Sequence, residues 1–279
     1  MVDPTRPVVE SPEQPPRRFV GPVAFAGALI VTGLVLILTI GIHPEDQVAP
    51  AAQPAPTPAV AVRDPRPQPG VAAPRPAIAA PVDRPKVSDQ PELDAWAVKV
   101  SATTKVPARL LAGYGRAEMW MRSQKPGCHL SWTTLAGIGT VEAERGHFAG
   151  AEVAANGDLV KPVVGPALNG GGGVDAVPDT DGGNLDGDST WDHAIGPMQL
   201  LPSVWSHWAE RASGDPGKPD PQSVDDSAFI AARDLCGGND DLATPGGWWK
   251  ALRVYHPTVE YAQDVFTAAD TYAAAGPAS

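Results

Sequence analysis

Apolar and polar positions follow three different patterns along the chain. Phe19 to Ile42 runs 24 residues without a charge. As a helix rising 1.5 Å per residue it would be about 36 Å long, enough to cross a hydrocarbon core of about 30 Å. Arg17 and Arg18 precede it, and His43, Glu45 and Asp46 follow. This predicts a single-pass anchor over 19–42, a cytoplasmic tail over 1–18, and an extracytoplasmic remainder. A cleaved signal peptide is the competing reading; the run is long for one and Ala49-Pro-Ala51 is a poor cleavage site, so the uncleaved anchor is favoured. Residues 43–90 hold twelve prolines in 48 positions, with alanine filling much of the rest. Such a segment predicts an extended, disordered tether.

From residue 91 to about 275 the spacing becomes helical. Leu93, Trp96, Ala97 and Val100 mark a first helix. Pro107 suits the first turn of a second, running to about Arg122 with Leu110, Leu111, Tyr114 and Met121 inward. A third spans Ser131 to Gly146, with Ser131 as N-cap and Gly146 as stop. At about 100° per residue Leu135, Ile138, Gly139 and Glu142 share one face, and Glu144 points the opposite way. Gly137 and Gly139 each cost roughly 1 kcal/mol against alanine in mid-helix, which predicts a close backbone approach. A Gly/Asp-rich stretch from about Gly150 to Asp192 reads as a long functional or mobile loop. Beyond it come a short helix with Trp205 and Trp208, and a helix over Val224–Leu235 capped by Ser223. Thr244-Pro245 opens another with Trp248, Trp249, Leu252 and Val254, and Thr258–Ala274 forms the last. With no alternating strand pattern and no repeat, the expected fold is all-α, about seven short helices and one long loop.

Composition sharpens this division. All eight tryptophans lie after residue 95. Residues 1–90 carry 8 basic and 8 acidic side chains, so the net charge of −11 belongs to residues 91–279. An acidic domain without a basic stripe argues against nucleic acid as a partner. The two cysteines, Cys128 and Cys236, lack metal-ligand spacing. In an exported domain they are expected to pair.

The candidate chemistry centres on Glu142. A carboxyl held in an apolar setting is the usual device for keeping an acid protonated near neutral pH, ready to act as a general acid. Glu142 sits on the face expected to be buried, and Glu144 does not.

Glu142, then Gly196-Pro-Met-Gln199, then Tyr255, in that order, resemble the lysozyme-like fold of lytic murein transglycosylases, closest to the membrane-bound B type in its actinobacterial single-domain form. Gly137-Ile-Gly-Thr-Val-Glu142, Cys128-His-Leu-Ser-Trp132, Asp179-Thr-Asp-Gly-Gly183, Trp191-Asp192, Leu235-Cys236 and Gly246-Gly-Trp-Trp249 also resemble family stretches, so the similarity covers 91–275. The resemblance implies a carbon–oxygen lyase that cleaves the β-1,4 bond between N-acetylmuramic acid and N-acetylglucosamine in peptidoglycan, leaving a 1,6-anhydro ring. It makes Glu142 the single catalytic acid/base, with Gln199, Met198, Tyr255 and His256 as substrate-binding candidates. Peptidoglycan strands would be the substrate, the plasma membrane the anchor, and proteins of cell-wall synthesis or division further candidate partners. No cofactor is required.

A hydrolytic lysozyme normally needs a second carboxylate, about 5–9.5 Å from the first. Glu144, Asp179 and Asp192 are the sequence's candidates for it, and none is compelling. Two departures from the family stand out. His256 replaces the asparagine common after the tyrosine, which opens a second reading, a wall-binding protein that has lost turnover; a hydrolytic muramidase is a third. Arg211-Ala-Ser-Gly-Asp-Pro216 stands where relatives often carry a calcium loop, with arginine at the first ligand position and proline at the turn glycine, so no metal is expected there. Asp179–Asp188 also misses the calcium pattern, because Gly183 occupies the fifth position.

Overall fold

The computed structural model describes residues 66–81, 89–144, 151–171, 175–214 and 216–275. The expected tail and anchor, 1–18 and 19–42, lie outside them. Among the described residues, no helix is long and apolar enough to cross a membrane.

The domain is mostly helical, with α1 Gln90–Thr104, α2 Ala108–Gln124, α3 Trp132–Glu144, α4 Pro202–Trp208, α5 Val224–Leu235, α6 Pro245–Tyr255 and α7 Val259–Ala275. Local chemistry sets several of these ends. Ser131 Oγ accepts the Thr133 N–H (3.3 Å) and Thr244 Oγ1 accepts that of Gly247 (3.2 Å), as N-caps do. Ser223 stands at the N-cap of α5, but its side chain accepts no helical N–H. One expectation needs correction. The long loop contains a small antiparallel pair, β1 Val164–Ala167 with β2 His193–Ile195. Its strands are too short, and β1 too rich in Gly165 and Pro166, to show alternation in sequence.

α3 is the axis of the core, with every residue from Trp132 to Gly139 buried. Its closest neighbour is α7. A Cβ on Gly137 would lie 2.8 Å from the Val265 carbonyl of α7, and one on Gly139 would lie 2.2 Å from the Tyr114 hydroxyl of α2. Both glycines therefore exist to admit a neighbour. Cys128, in the short 3₁₀ turn Pro126–Cys128 before α3, is disulfide-bonded to Cys236 at the end of α5, with Cα atoms 5.7 Å apart.

Residues 66–81 fall inside the stretch expected to be a disordered tether, and here the structure differs. They form an extended strap laid against the helical domain. Side chains hold its backbone: Gln263 Nε2 donates to Pro67 O (2.9 Å), Trp249 Nε1 to Ala72 O (2.7 Å), Trp132 Nε1 to Ile78 O (3.0 Å) and Arg122 Nη2 to Ala80 O (2.7 Å). Proline content argues against helix and sheet, but it leaves backbone carbonyls available to donors elsewhere.

At the strap's end Glu118, buried in α2, accepts the Ala80 N–H (3.0 Å) and lies 3.7 Å from Arg122. Burial pushes its carboxyl up to about 7, against the smaller opposing pull of Ala80 and Arg122. The folded state thus holds this proton more tightly than the unfolded chain. Its stabilising contribution is complete below the ordinary carboxyl range and disappears as pH rises through about 7. Denaturant midpoints should show a loss on the order of 2–3 kcal/mol between pH 5 and pH 8 from this group. Glu118→Gln should flatten that difference; an unaltered pH profile in the variant would refute the assignment.

Candidate active site

Glu142 lies in the last turn of α3, 4% exposed, while Glu144 two residues on is in solvent. Its Oε1 accepts a hydrogen bond of 2.7 Å from the hydroxyl of Tyr261, in the first turn of α7. Both side chains are buried, so the bond is worth more here than at the surface. Tyr261 was not among the candidates read from sequence. A signal for it existed: Tyr261 shares a helical stripe with Val265 and Ala269, both fully buried. A buried tyrosine in such a stripe needs a partner for its hydroxyl, and a buried glutamate needs a donor.

Tyr255, the tyrosine that was expected near the acid, closes α6 and donates to Met198 O at 2.5 Å. Burial first, and the Glu142 carboxylate second, hold its phenol well above the ordinary range, so it remains a donor. His256 is turned onto Tyr261, with ring centroids 4.2 Å apart and planes 12° from parallel. Its Nδ1 meets the Thr258 hydroxyl at 3.1 Å, next to the start of α7. His256 thus forms a wall behind the phenol that holds Glu142.

Gly196-Pro-Met-Gln199 is a tight turn closed by Gln199 N–H to Gly196 O (3.1 Å), with both end residues in the left-handed region (φ 70° and 48°). Met198 is fully buried, its sulfur at van der Waals distance from the position of a Gly139 Cβ. The turn is thereby seated against α3 within one turn of Glu142. Gln199 Nε2 donates back to Gly196 O (2.9 Å), which fixes the amide's orientation. Its Oε1 is buried and, among the described residues, accepts no hydrogen bond, with Gly165 of β1 beside it.

The other acids are engaged within the loop. Asp192 is fully buried and its two oxygens accept Thr180 N–H (2.8 Å) and Thr180 Oγ1 (2.7 Å). Asp179 accepts from the N–H groups of Asp181, Gly182 and Gly183, and Asp181 from those of Asn184 and Leu185. One oxygen each of Asp179, Asp181 and Asp192 lies within 4.8 Å of the others, yet these bonds already account for the arrangement as carboxylates organising a loop backbone. His193 of β2 links this loop to β1. Its Nδ1 faces Gly165 O (2.7 Å) and its Nε2 faces Asp188 Oδ2 (3.3 Å).

The structure therefore brings Glu142, Tyr255, His256 and Met198 together around Tyr261 and α3, with Gln199 beside them in the same turn as Met198. A buried acid with a phenolic donor, next to an amide carbonyl, can transfer a proton and orient an N–H-bearing ligand. No protein-family model, curated protein or solved structure matches this chain.

Proposed function

We propose that the domain is a lysozyme-like lytic transglycosylase acting on peptidoglycan outside the plasma membrane, anchored there through residues 19–42. The observation that carries the reading is the bond between the buried Glu142 carboxyl and the Tyr261 hydroxyl, while Glu144 lies in solvent and Asp179 and Asp192 accept from loop N–H groups. A single carboxyl suffices when the nucleophile belongs to the substrate.

In the proposed reaction Glu142 gives its proton to the glycosidic oxygen as the muramoyl C1–O bond breaks, releasing the N-acetylglucosamine hydroxyl. The resulting carboxylate takes the proton from the muramoyl C6 hydroxyl, whose oxygen bonds to C1 and closes the 1,6-anhydro ring. Glu142 ends protonated, as it began. Tyr261 holds the carboxyl through Oε1 and stabilises it when charged. A buried acceptor left without a donor costs about 1–3 kcal/mol, which an acetamido N–H at Gln199 Oε1 would relieve. The disulfide supports an exported location.

The test is digestion of purified peptidoglycan by the full chain in detergent, followed by mass spectrometry of the muropeptides. Anhydromuramoyl ends are expected. Reducing ends would instead make it a muramidase, and binding without cleavage would make it a wall-binding protein.

A further inference from the structure

We propose that the face formed by α2, α3, α6 and α7 is a peptide-binding site for a polyproline-type ligand, and that the chain's own Pro67–Ala80 segment is that ligand. The site lies apart from Glu142 and does not depend on the reading of its chemistry.

Three observations on the segment carry this. First, most of its polar recognition is of backbone, with Ala73, Ala77 and Ala80 packed against the core. Four carbonyls, of Pro67, Ala72, Ile78 and Ala80, are met by side-chain donors, and the N–H groups of Arg75 and Ala80 are met by Asp270 (2.9 Å) and Glu118 (3.0 Å). Among the described residues, the segment makes no backbone–backbone bond apart from a local turn between Gln68 and Val71. A polyproline-type chain is suited to this, because its carbonyls project outward unpaired and little entropy is lost on docking.

Second, the donors are held ready. Two of the four are indole N–H groups, as in aromatic grooves that read proline-rich chains. The Trp249 ring is stacked on Phe266 (5.8 Å, 22°), and the Trp132 ring meets Trp96 edge-on (5.6 Å, 84°). Between these anchors the segment bridges a depression of about 400 Å³, lined by Pro74, Arg75, Glu118, Arg122, Ser131 and Trp248 among others. Third, one side chain sets register. Arg75 grips Asp270 with both Nε (2.9 Å) and Nη2 (2.7 Å) while its own N–H bonds the same carboxylate. A forked pair of this kind tolerates no shift along the groove.

Most of the segment remains exposed, Val71 and Ile78 included. It is held as a ligand is held, by spaced anchors, and it buries little apolar surface of its own. As a covalently attached ligand it would compete at an effective concentration in roughly the millimolar range.

The test uses the full chain in detergent with residues 67–80 replaced by a Gly/Ser run of equal length, its fold checked by circular dichroism. A fluorescent peptide of residues 66–81 is titrated by anisotropy. Saturable binding is expected, at least tenfold tighter than to the wild-type chain, whose site is already filled. Arg75→Ala in the peptide or Asp270→Ala in the chain should weaken it about tenfold. A folded replacement variant that fails to bind the peptide overturns the proposal. Amide exchange on the wild-type chain gives an independent reading should the variant not fold: slow exchange at Arg75 and Ala80, lost in Asp270→Ala for Arg75, supports the site, and unprotected exchange at both overturns it.

Discussion

Glu142→Gln is expected to reduce cleavage of peptidoglycan by about a thousandfold or more while leaving the melting temperature within a few degrees. Glutamine keeps the shape of the side chain and can still accept the Tyr261 hydroxyl bond, but it has no proton to give to a leaving oxygen and cannot recover one. General acid–base catalysis contributes about 10²–10⁴ in rate, and in a one-carboxyl mechanism both halves of the proton cycle are lost together. Tyr261→Phe separates placement from proton transfer. The carboxyl remains, but its phenolic donor is gone; a charge-assisted bond removed at this point should cost about ten- to a hundredfold in kcat, with KM little changed. Equal, near-complete inactivation by both substitutions would instead assign Tyr261 a direct part in the proton transfer. Full activity in Glu142→Gln would remove the mechanism altogether.

Removal of the disulfide should produce a large loss of stability. Cys128 and Cys236 are 108 apart in sequence. Closing a loop of that length restricts the unfolded chain by about 4–5 kcal/mol in the chain-entropy account. In a domain of this size that corresponds to roughly 10–15 °C in melting temperature. The bond also joins a junction made by other contacts: Leu242 N–H donates to Cys128 O (2.8 Å) and Lys125 Nζ to Cys236 O (2.8 Å). These align the two segments with or without the cross-link, so the Cys128→Ala/Cys236→Ala variant should fold to the same structure at lower stability. The measurement is a thermal melt of variant and wild type, the latter with and without reductant. Coincident melts would mean that the covalent link adds nothing to what the flanking bonds already provide.

Much of the helical frame was legible because its signals are local. Thr244-Pro245 announces a helix start through groups within one turn of it, and Glu142 and Glu144 separate into buried and exposed by helical phase alone. The glycines of α3 were legible as close approaches, but not what approached: the Val265 carbonyl and the Tyr114 hydroxyl come from other helices. The same holds for the choice between Tyr255 and Tyr261. Both are aromatic residues near the same corner, and only the packing of α7 on α3 decides which hydroxyl reaches Glu142. The strap was hidden for a further reason. Composition reports what a segment can do for itself, and residues 66–81 do little for themselves; the groups that hold them lie on helices as much as 196 residues away.

The His193 clasp between β1 and the loop has a consequence for when the sheet is held to its loop. Both ring nitrogens face acceptors, a carbonyl and a carboxylate, so only the doubly protonated imidazolium satisfies the two at once. The Gly165 carbonyl above all, with help from Asp188, raises the histidine's affinity for its proton. The N–H of Thr190 first, then His193, lowers that of Asp188. The clasp therefore tightens as pH falls through the histidine's range, and its Asp188 arm weakens again in strong acid, when that carboxylate takes up a proton. In alkaline medium it keeps one hydrogen bond of the two. The shorter bond, to Gly165 beside the Gln199 carbonyl, is the one retained, so what alkaline medium releases is the link from β2 to Asp188, and the hold of the sheet on its loop becomes a function of proton concentration.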